Sequence, residues 1–325
     1  MFKKYILTLS VILSFGLLGE AQADMHGDEA SGFSGSFELK YKGDLGDLGN
    51  VDGFTTRVRA GWAGEVNDMV MWKLGLSSDI EKRFGGYELN IMYLEQAYVK
   101  YMPMDGLSVK AGKFGWHPSF AKTGVLYDDD LYAEGVVAKY KYDAYWAKVA
   151  VVNLTDEYSG PFSSGAVVKA MVGTKQNVAG LSVKAKVGSM YDGLFGGNGL
   201  ALATAGVHVG VPHLGIPVSV SGNYITDVSD PLTNDTYTVG VNVNEGNAVN
   251  NVSVGVNYYN INNGTWSLDV VDTDYVKTNS DTTGVAARVQ YNAWENSNLV
   301  VKYAYSLDGT AYDPNNIVGE LTFNF

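Results

Sequence analysis

The fold is decided by the stretch Ile317-Val318-Gly319-Glu320-Leu321-Thr322-Phe323-Asn324-Phe325. Successive side chains of an extended strand point to opposite faces, so the odd-numbered positions of this stretch share one face. That face is apolar and carries Phe323 and Phe325, whereas the even-numbered face is mostly polar. The stretch therefore predicts an amphipathic β-strand that ends in an aromatic pair.

The amino-terminal segment predicts export from the cytoplasm. Lys3-Lys4 precedes an apolar run at positions 5–18, and the run is followed by Ala21-Gln22-Ala23. A short basic segment, an apolar segment and a small-residue site are typical of a secretory signal peptide. We expect residues 1–23 to be cleaved off and residues 24–325 to fold as a single domain.

Composition excludes several classes of protein. The formal net charge is -12, which argues against binding nucleic acid, because phosphates need a basic surface. The chain has no cysteine, so disulfides and thiolate metal sites are excluded. After the presequence no apolar run reaches the roughly 18 residues of a membrane-spanning helix. The mean hydropathy of -0.05 is compatible with a membrane barrel and with a soluble protein, so it does not discriminate between them.

Alternating apolar and polar positions recur along the whole chain. Sixteen segments of roughly ten residues show this period, which predicts an all-β protein with about sixteen strands. The segments are 33–41, 54–64, 69–78, 93–102, 107–114, 133–142, 144–153, 165–174, 181–190, 200–211, 218–226, 235–244, 251–260, 283–292, 298–306 and 316–325.

The gaps between the segments alternate between short and long. Short gaps lie at 65–68 and 103–106, and long gaps at 79–92, 115–132 and 261–282. Short turns at one rim and long loops at the other are typical of a closed, antiparallel, up-and-down transmembrane barrel. Ten tilted residues also rise by roughly 25 Å, which is the height of the apolar band of such a barrel.

The charged residues support a membrane. Almost every cation in the segments falls on the face opposite to the apolar one, and a charge that faced lipid at mid-bilayer would cost about 2–4 kcal/mol. These cations are Lys40, Arg57, Arg59, Lys73, Lys100, Lys110, Lys139, Lys141, Lys169, Lys184, Lys186, Arg288 and Lys302. We therefore predict a wet lumen, and a barrel of sixteen strands is wide enough to hold an aqueous channel.

Aromatic residues near the segment ends take the apolar face, as an interfacial girdle requires. They are Tyr101, Tyr140, Tyr142, Tyr145, Tyr258, Tyr291, Tyr303, Tyr305 and Phe325. The alternative is that these tyrosines fill the core of a soluble β-sandwich. A sandwich does not require the regular alternation of short and long gaps, so we favour the barrel.

At this point the sequence resembles the general porins of Gram-negative bacteria. The segment from Arg57 to Glu65, followed by Asn67-Asp68, is similar to the second strand and first periplasmic turn of that family, and Leu107 to Gly115 is similar to its fifth strand. The resemblance implies a sixteen-stranded homotrimer in the outer membrane, in contact with its lipid, that passes small hydrophilic solutes by diffusion. It also implies that the third long loop, at 115–132, folds inward and narrows the pore.

The resemblance further implies a constriction with opposed charges. Arg59 and Lys113 match basic wall positions of the family, and Arg57, Lys73 and Lys110 are further candidates for the lumen. The acidic motif of the family's loop is replaced here by Pro118-Ser119-Phe120, and a third wall arginine has no counterpart near Ala133-Glu134. The acidic side would then come from Asp128, Asp129 and Asp130, which are otherwise a solvated loop end or a weak calcium site.

The carboxyl-terminal strand has a separate role in the outer-membrane barrels that the chain resembles. There the terminal aromatic residue is a signal that the barrel-assembly machinery reads. By this resemblance Phe323 and Phe325 form the assembly signal of the chain.

A catalytic site is not predicted. A serine nucleophile needs an oriented base, and the histidines are His26, His117, His208 and His213. Only His117 lies close in sequence to a serine, Ser119, and no partner acid is identifiable. We predict no enzyme activity, no cofactor and no resident metal.

The main rival is a substrate-specific channel for a sugar or for an anion such as phosphate. A sugar channel would need an aromatic ladder, and the candidates are Tyr98, Trp116, Trp146 and Tyr259. A surface adhesin would depend on the long loop at 261–282, which holds Trp266. Glu95 falls on the lipid face by its position in the alternation, which would favour a subunit interface.

Overall fold

The computed structural model describes most of the chain after the amino-terminal segment. The described residues are 32–44, 53–83, 86–116, 132–154, 166–191, 201–211, 216–228, 235–246, 248–262, 281–307 and 316–325. The predicted signal peptide lies outside them. Within these ranges no helix has the length and apolar character needed to cross a membrane.

Sixteen strands form one sheet, and each strand pairs antiparallel with its neighbours in the sequence. The strands are β1 Gly32–Asp44, β2 Gly53–Asn67, β3 Val70–Arg83, β4 Gly86–Met104, β5 Leu107–Gly115, β6 Tyr132–Tyr142, β7 Tyr145–Leu154, β8 Val167–Val178, β9 Leu181–Tyr191, β10 Ala201–Val211, β11 Val218–Asp227, β12 Asp235–Val243, β13 Val252–Ile261, β14 Thr282–Trp294, β15 Ser297–Ser306 and β16 Asn316–Asn324. Since β16 also pairs with β1, the sheet closes into a barrel, as the sequence predicts.

The closure runs to the last residue of the chain. The Gly35 amide donates to the carbonyl of Phe325 at 2.7 Å, and the Phe325 amide donates to the carbonyl of Gly35 at 2.9 Å. The Phe325 ring lies directly over Gly35, where a Cβ atom would collide with its Cε2. The terminal ring can therefore pack at this position only because Gly35 has no side chain.

The short turns are tight because several of their residues adopt positive φ angles. Asp143 has φ 50°, and the turn Ala179-Gly180 has φ 50° and 81°. Positive φ at both central residues suits the right-handed twist of adjacent strands. Gly106, with φ 78°, also lies so close to the Lys141 carbonyl that a Cβ atom would clash with it. These turns fix neighbouring strands in register.

The two faces of the wall have different chemistry. In β13 the side chains of Val252, Val254 and Val256 are 46%, 40% and 46% exposed, whereas those of Asn257 and Tyr259 are 6% and 1% exposed. The same alternation runs round the barrel: valines, leucines and tyrosines cover the outer face, and polar or charged side chains line the inner face. The register places the cations that the alternation predicts for the lumen on the inner face.

Two strands extend further than the sequence predicts. We predict a long loop at 79–92, but β3 continues to Arg83 and β4 begins at Gly86. The register pairs Glu81 with Glu88 and Arg83 with Gly86 across this extension. Tyr87, Leu89 and Ile91 alternate with Glu88 and Asn90, so the alternation was sufficient to detect the start of β4, whereas the charged end of β3 at 81–83 gives no such signal.

A β-bulge in β4 corrects the prediction for Glu95. Gly75 pairs with Gln96 and Leu76 pairs with Leu94, so Glu95 is the extra residue. An extra residue in one strand changes the face of the sheet to which the side chains near it point. Glu95 and Gln96 are both buried, at 1% and 5% exposure. Glu95 therefore faces inward rather than towards lipid, and the argument for a subunit interface at this residue is wrong.

Candidate functional site in the barrel lumen

The inner face of β1–β4 carries a network of ion pairs. Arg57 on β2 donates from Nε to Oδ1 of Asp79 on β3 at 2.7 Å. The other oxygen of Asp79, Oδ2, accepts a hydrogen bond from the Tyr93 hydroxyl at 2.9 Å. This part of the wall balances its cations with carboxylates from neighbouring strands.

Arg59 is held between two carboxylates. Its Nε atom donates to Oε1 of Glu95 at 2.8 Å, and its Nη1 atom donates to Oε2 of Glu38 at 3.2 Å. Arg59 is 5% exposed and Glu95 is 1% exposed, so the pair is largely shielded from water. The bulge in β4 brings Glu95 to this position, and the hydrophobic alternation gives no signal for it.

A second region of the wall is lined by lysines. We use the name lysine wall for the inward-facing lysines of β5–β9, which are Lys110, Lys139, Lys141, Lys148, Lys169, Lys175, Lys184 and Lys186. Lys148 lies within electrostatic reach of Lys110, Lys139 and Lys186. Lys169 in turn interacts with Lys148 and Lys186. At least five of these ammonium groups therefore lie close enough to influence one another.

The register sets several of these lysines directly opposite one another. Lys139 pairs with Lys148 across β6 and β7, and Lys175 pairs with Lys184 across β8 and β9. Directly opposite side chains on one face are about 4.5–5.5 Å apart at Cβ, and like charges at such positions are destabilising. The wall therefore contains repulsive contacts that a purely structural sheet would avoid.

Aromatic rings lie beneath the ammonium groups of the lysine wall. The Nζ atom of Lys110 is 4.1 Å from the centroid of the Tyr98 ring. The Trp116 ring lies 5.1 Å from Nζ of Lys169 and 5.7 Å from Nζ of Lys148. These distances are within the range of cation–π attraction.

Trp116 is the first residue after β5, and only 1% of it is exposed. Its ring reaches lysines of β7 and β8, so the chain that leaves β5 starts along the inner wall. The rest of the predicted constriction loop lies outside the described residues, and its inward course stays a prediction.

The remaining wall is mainly polar and uncharged. Inward-facing Ser219, Ser221, Asn223, Thr236, Thr238 and Asn257 are all buried. The Asn223 side-chain amide donates to the Thr238 hydroxyl at 3.0 Å. Near the seam, Nζ of Lys302 lies 3.9 Å from Oε2 of Glu320. The inner face thus divides into an ion-paired sector, a lysine-rich sector and a sector that is mainly polar but also carries Arg288 directly opposite Lys302.

The structure describes some of the predicted site residues but not all of them. Arg57, Arg59, Lys73 and Lys110 lie on the inner face. Asp128, Asp129 and Asp130 lie outside the described residues, so the acidic side of the constriction stays a prediction.

Lys113 requires a correction. It shares a face with Glu134, which lies directly opposite on β6, whereas the adjacent Phe114 pairs with fully buried Ala133 on the other face. Lys113 therefore points away from the lumen, as simple alternation indicates. The expectation taken from the family resemblance is wrong at this position.

Lys148 is one of the lumen residues that our sequence analysis missed. It lies two positions after Trp146, which we expected to face inward, so the same alternation was sufficient to find it. Trp146 itself faces the lumen, with its ring 5.8 Å from Nζ of Lys186.

A catalytic arrangement is not seen among the described residues. His208 faces the lumen directly opposite Lys184 and Ser221. The other three histidines and Ser119 lie outside the described ranges. In the described part of the chain, no group of three or more histidine, cysteine, aspartate or glutamate side chains is arranged to hold a metal ion.

Both predicted assembly residues lie at the seam of the barrel. The Phe323 ring stacks on Trp294, with centroids 6.4 Å apart and planes inclined by 19°. The Phe325 ring lies 6.4 Å from that of Phe33. Both rings therefore belong to the outer face near the carboxyl terminus.

Comparison with solved structures finds the same fold. The chain is similar to OprB of Pseudomonas putida, with a TM-score of 0.65 and 15% identity over 90% of this chain and 94% of OprB. It is similar to OmpF of Salmonella typhi in complex with daunomycin, with a TM-score of 0.60 and 12% identity over 90% of this chain and 97% of OmpF. A trimer form of OmpT, an outer-membrane protein of Vibrio cholerae, matches with a TM-score of 0.50 and 14% identity over 90% and 98% of the two chains.

No protein-family model and no curated protein matches the sequence. The structural matches establish the fold, and the porin-type barrel of sixteen strands expected from the sequence is confirmed.

Proposed function

We propose that this chain is a porin of the bacterial outer membrane, and that its lumen is a water-filled channel for passive diffusion of ions and small hydrophilic solutes. One observation carries the proposal: the closed sixteen-stranded barrel has an apolar outer face and a charged inner face. A barrel of this size is wide enough for an aqueous channel, whereas small barrels are filled by their own side chains.

The outer face supports a position within a lipid bilayer. In hydrocarbon every backbone polar group needs a hydrogen-bond partner within the protein. A closed barrel supplies these partners because every strand has a neighbouring strand on both sides. Exposed valines and leucines cover the outer face, and Tyr140, Tyr142 and Tyr145 are exposed at one rim. Export through a cleaved signal peptide at 1–23 belongs to the same proposal and is supported by the sequence of that segment.

We attribute no covalent chemistry to the lumen. Its described side chains form ion pairs, cation–π contacts and hydrogen bonds, and the histidine that faces the lumen has a lysine and a serine opposite it rather than an acid. Such a wall solvates ions and polar solutes. In the described part of the wall, His208 lies opposite Ser221 without a hydrogen bond between them, whereas hydrolysis would require a base oriented towards a nucleophile.

Trimeric assembly and recognition by the barrel-assembly machinery are further parts of the proposal. The trimer form of OmpT and the resemblance to the general porins support a homotrimer. The aromatic carboxyl terminus supports recognition through β16. Loss of Phe325 would then reduce the amount of folded protein in the outer membrane but not its folding in detergent, and an equal loss in both would contradict this role.

Planar-bilayer recording tests the proposal directly. Purified protein in potassium chloride should give stepwise increases in conductance, and a trimer should give them in groups of three. A protein that folds but stays electrically silent would overturn the channel assignment, and hydrolytic activity would point to the rival class.

A substrate-specific channel is the second candidate, and one observation favours its anionic form. The rings of Tyr98, Trp116 and Trp146 each have a lysine ammonium group at 4.1–5.8 Å from their centroids. Ring faces used in this way are less available for stacking on a sugar. The lysine wall therefore favours an anion over a neutral carbohydrate as the preferred solute.

A further inference from the structure

We infer that the turn between β12 and β13 narrows the channel at the rim that carries the short turns, and that Glu245 on this turn influences which ions pass. The inference rests on the proposed channel function. It adds a determinant of conductance and of charge selectivity that is separate from the predicted constriction loop at 115–132. Residues 244–246 and 248–251 of the turn are described.

The turn is longer than other turns at the same rim. Residues 244–251 separate β12 from β13, whereas residues 143–144 separate β6 from β7 and residues 179–180 separate β8 from β9. A two-residue loop is sufficient to join antiparallel neighbours. The additional residues are therefore not needed to connect the two strands.

Hydrogen bonds place the middle of the turn on the inner face of the barrel. Asn292 on β14 is 5% exposed, and its Oδ1 atom accepts a hydrogen bond from the inward-facing Gln290 side chain at 2.8 Å. Its Nδ2 atom donates to the carbonyl of Gly246 at 2.8 Å and to that of Ala248 at 3.3 Å. Because β13 lies between β12 and β14, the turn crosses the inner end of β13 to reach Asn292.

The start of the turn reaches along the wall in the other direction. The Asn244 amide continues the pairing of β11 with β12 by donating to the Pro217 carbonyl at 2.6 Å. The next residue, Glu245, accepts a hydrogen bond at its Oε2 atom from the hydroxyl of Ser219 on β11 at 3.2 Å. Ser219 faces inward, so the Glu245 carboxylate lies on the inner face. Together the turn and this side chain extend over the inner wall from β11 to β14.

The turn is held by hydrogen bonds of its own. The Asn251 side-chain amide donates to the carbonyls of Asn244 at 2.8 Å and Gly246 at 3.0 Å, and the Asn244 side-chain amide donates to the Val252 carbonyl at 2.7 Å. Asn244 and Asn250 have φ angles of 59° and 61°, which asparagine adopts more readily than most residues. The narrowing is therefore a preformed part of the wall.

Glu245 places a negative charge beside part of the lysine wall. Glu245, Lys184 and Lys186 all lie within electrostatic reach of His208 on β10. The Glu245 side chain is exposed, so an ion that passes the rim can approach its carboxylate. A carboxylate at this place attracts cations and repels anions, and it opposes the effect of the nearby lysines.

Glu245→Gln tests the role of the charge. Glutamine has nearly the same size and its side-chain oxygen can still accept from Ser219, so the conductance in planar bilayers should change little. The ratio of chloride to potassium permeability, taken from reversal potentials at low salt, should rise by up to about fivefold, which is the effect of one unit charge at contact distance in water.

The matched control for the charge is Asp143→Asn, because Asp143 is an exposed acid in the turn between β6 and β7 at the same rim. It should leave the permeability ratio close to that of the wild type. An equal rise in both variants would reduce the effect to net charge, and no rise in Glu245→Gln would contradict its contact with passing ions. Either result overturns the inference.

Two further variants test the narrowing itself. Asn292→Ala removes the two hydrogen bonds that hold the turn on the inner face. Replacement of residues 246–251 by Asn-Gly gives a two-residue hairpin turn and keeps the register in which Val243 pairs with Val254. Both variants should increase the single-channel conductance, measured near 1 M potassium chloride, where the Debye length is about 3 Å and charge effects are largely screened.

Asn298→Ala is the control for the narrowing. Asn298 lies near the same end of the neighbouring strand β15, and its Oδ1 atom has no hydrogen-bond partner among the described residues. This variant should conduct like the wild type. If the barrel with the Asn-Gly replacement folds and also conducts like the wild type, the turn does not narrow the channel and the inference is overturned, whatever the effect of Asn292→Ala.

The wild type separates this inference from the channel proposal. A folded wild-type protein without stepwise openings would overturn the channel itself. Stepwise openings in the wild type, with conductance and permeability ratio unchanged in every variant of the turn, would overturn this inference alone.

Discussion

At the scale of single residues, Arg59 shows how a small backbone irregularity determines the electrostatics of the lumen. Carboxylate partners of Arg59 come from β1 and β4, and the partner on β4 faces inward because of the bulge at Glu95. We expected Arg59 to face acids of the constriction loop. Its contacts with Glu38 and Glu95 make it part of the wall's own ion-pair network.

Removal of the Arg59 side chain should therefore destabilise the barrel. Arg59→Ala leaves the buried carboxylates of Glu38 and Glu95 without this partner, and breaking a buried ion pair typically costs about 3–5 kcal/mol. Urea unfolding of the refolded barrel should show a lower midpoint for this variant.

The double variant Arg59→Ala with Glu95→Gln provides the control for charge. Because it also removes the negative charge of Glu95, it should recover part of the lost stability. A midpoint for Arg59→Ala equal to that of the wild type would contradict a structural role for this ion pair.

Single residues also show what the sequence could and could not predict. Alternation alone places Arg57, Lys73 and Lys110 correctly, and it is sufficient for Lys148 as well. It fails at Glu95 because a bulge has no distinct signature in the sequence. Lys113 was assigned to the lumen by family resemblance against its own position in the alternation, and the alternation was correct.

At the scale of elements, glycines on one strand make room for large side chains of the next. Gly173 on β8 lies under the Trp146 ring, and Gly284 on β14 lies under the Tyr259 ring. In both places an added Cβ atom would collide with the ring. The rings can therefore lie flat against the inner wall rather than project into the channel.

Gly173→Ala should disturb this arrangement. The added methyl group pushes the Trp146 ring off the wall, so we expect a lower single-channel conductance together with a loss of stability of about 1–3 kcal/mol. Conductance in planar bilayers and unfolding in urea measure the two effects.

Gly210→Ala is the control on the inner face, since its added Cβ atom would lie 3.6 Å from the Cβ atom of Ser182, an ordinary contact. It should change the conductance little. If both alanine variants conduct alike, the ring at Trp146 does not limit the channel.

The strands themselves were largely predictable because a wall with an apolar outer face and a polar inner face requires its side chains to alternate. The extension of β3 and β4 across the predicted loop at 79–92 was missed. The end of β3 at 81–83 is charged and gives no alternation, whereas Tyr87, Leu89 and Ile91 of β4 do alternate with polar residues and were open to prediction. The acidic side of the predicted constriction, Asp128 to Asp130, lies outside the described residues, so its partners on the wall stay a prediction.

At the scale of the whole molecule, the charge on part of the inner face is opposite in sign to the net charge of the chain. The formal net charge is -12, yet the inner face of β5–β9 carries lysines without inward acids on the same strands. An ion in the channel experiences the nearest charges most strongly, because salt screens those further away than the Debye length, about 10 Å at 0.1 M ionic strength. The net charge of the chain is therefore a poor guide to the charge that an ion meets in the lumen.

We expect the channel to prefer anions, and the preference should weaken as salt is raised. Reversal potentials in potassium chloride gradients near 0.1 M should indicate chloride selectivity, and near 1 M, where the Debye length is about 3 Å, the selectivity should fall. Cation selectivity at low salt would contradict control by the lysine wall and would favour acids of the long loops.

The sheet closes into a barrel only when β1 pairs with β16. Residues from opposite ends of the polypeptide must meet before the cylinder exists, and such distant contacts are slow to form because a very long loop has to close. Until they meet, the first and last strands each present an unpaired edge, which is a template for aggregation. We therefore expect unfinished copies of this polypeptide to associate with one another unless they are kept apart until the final strand has docked.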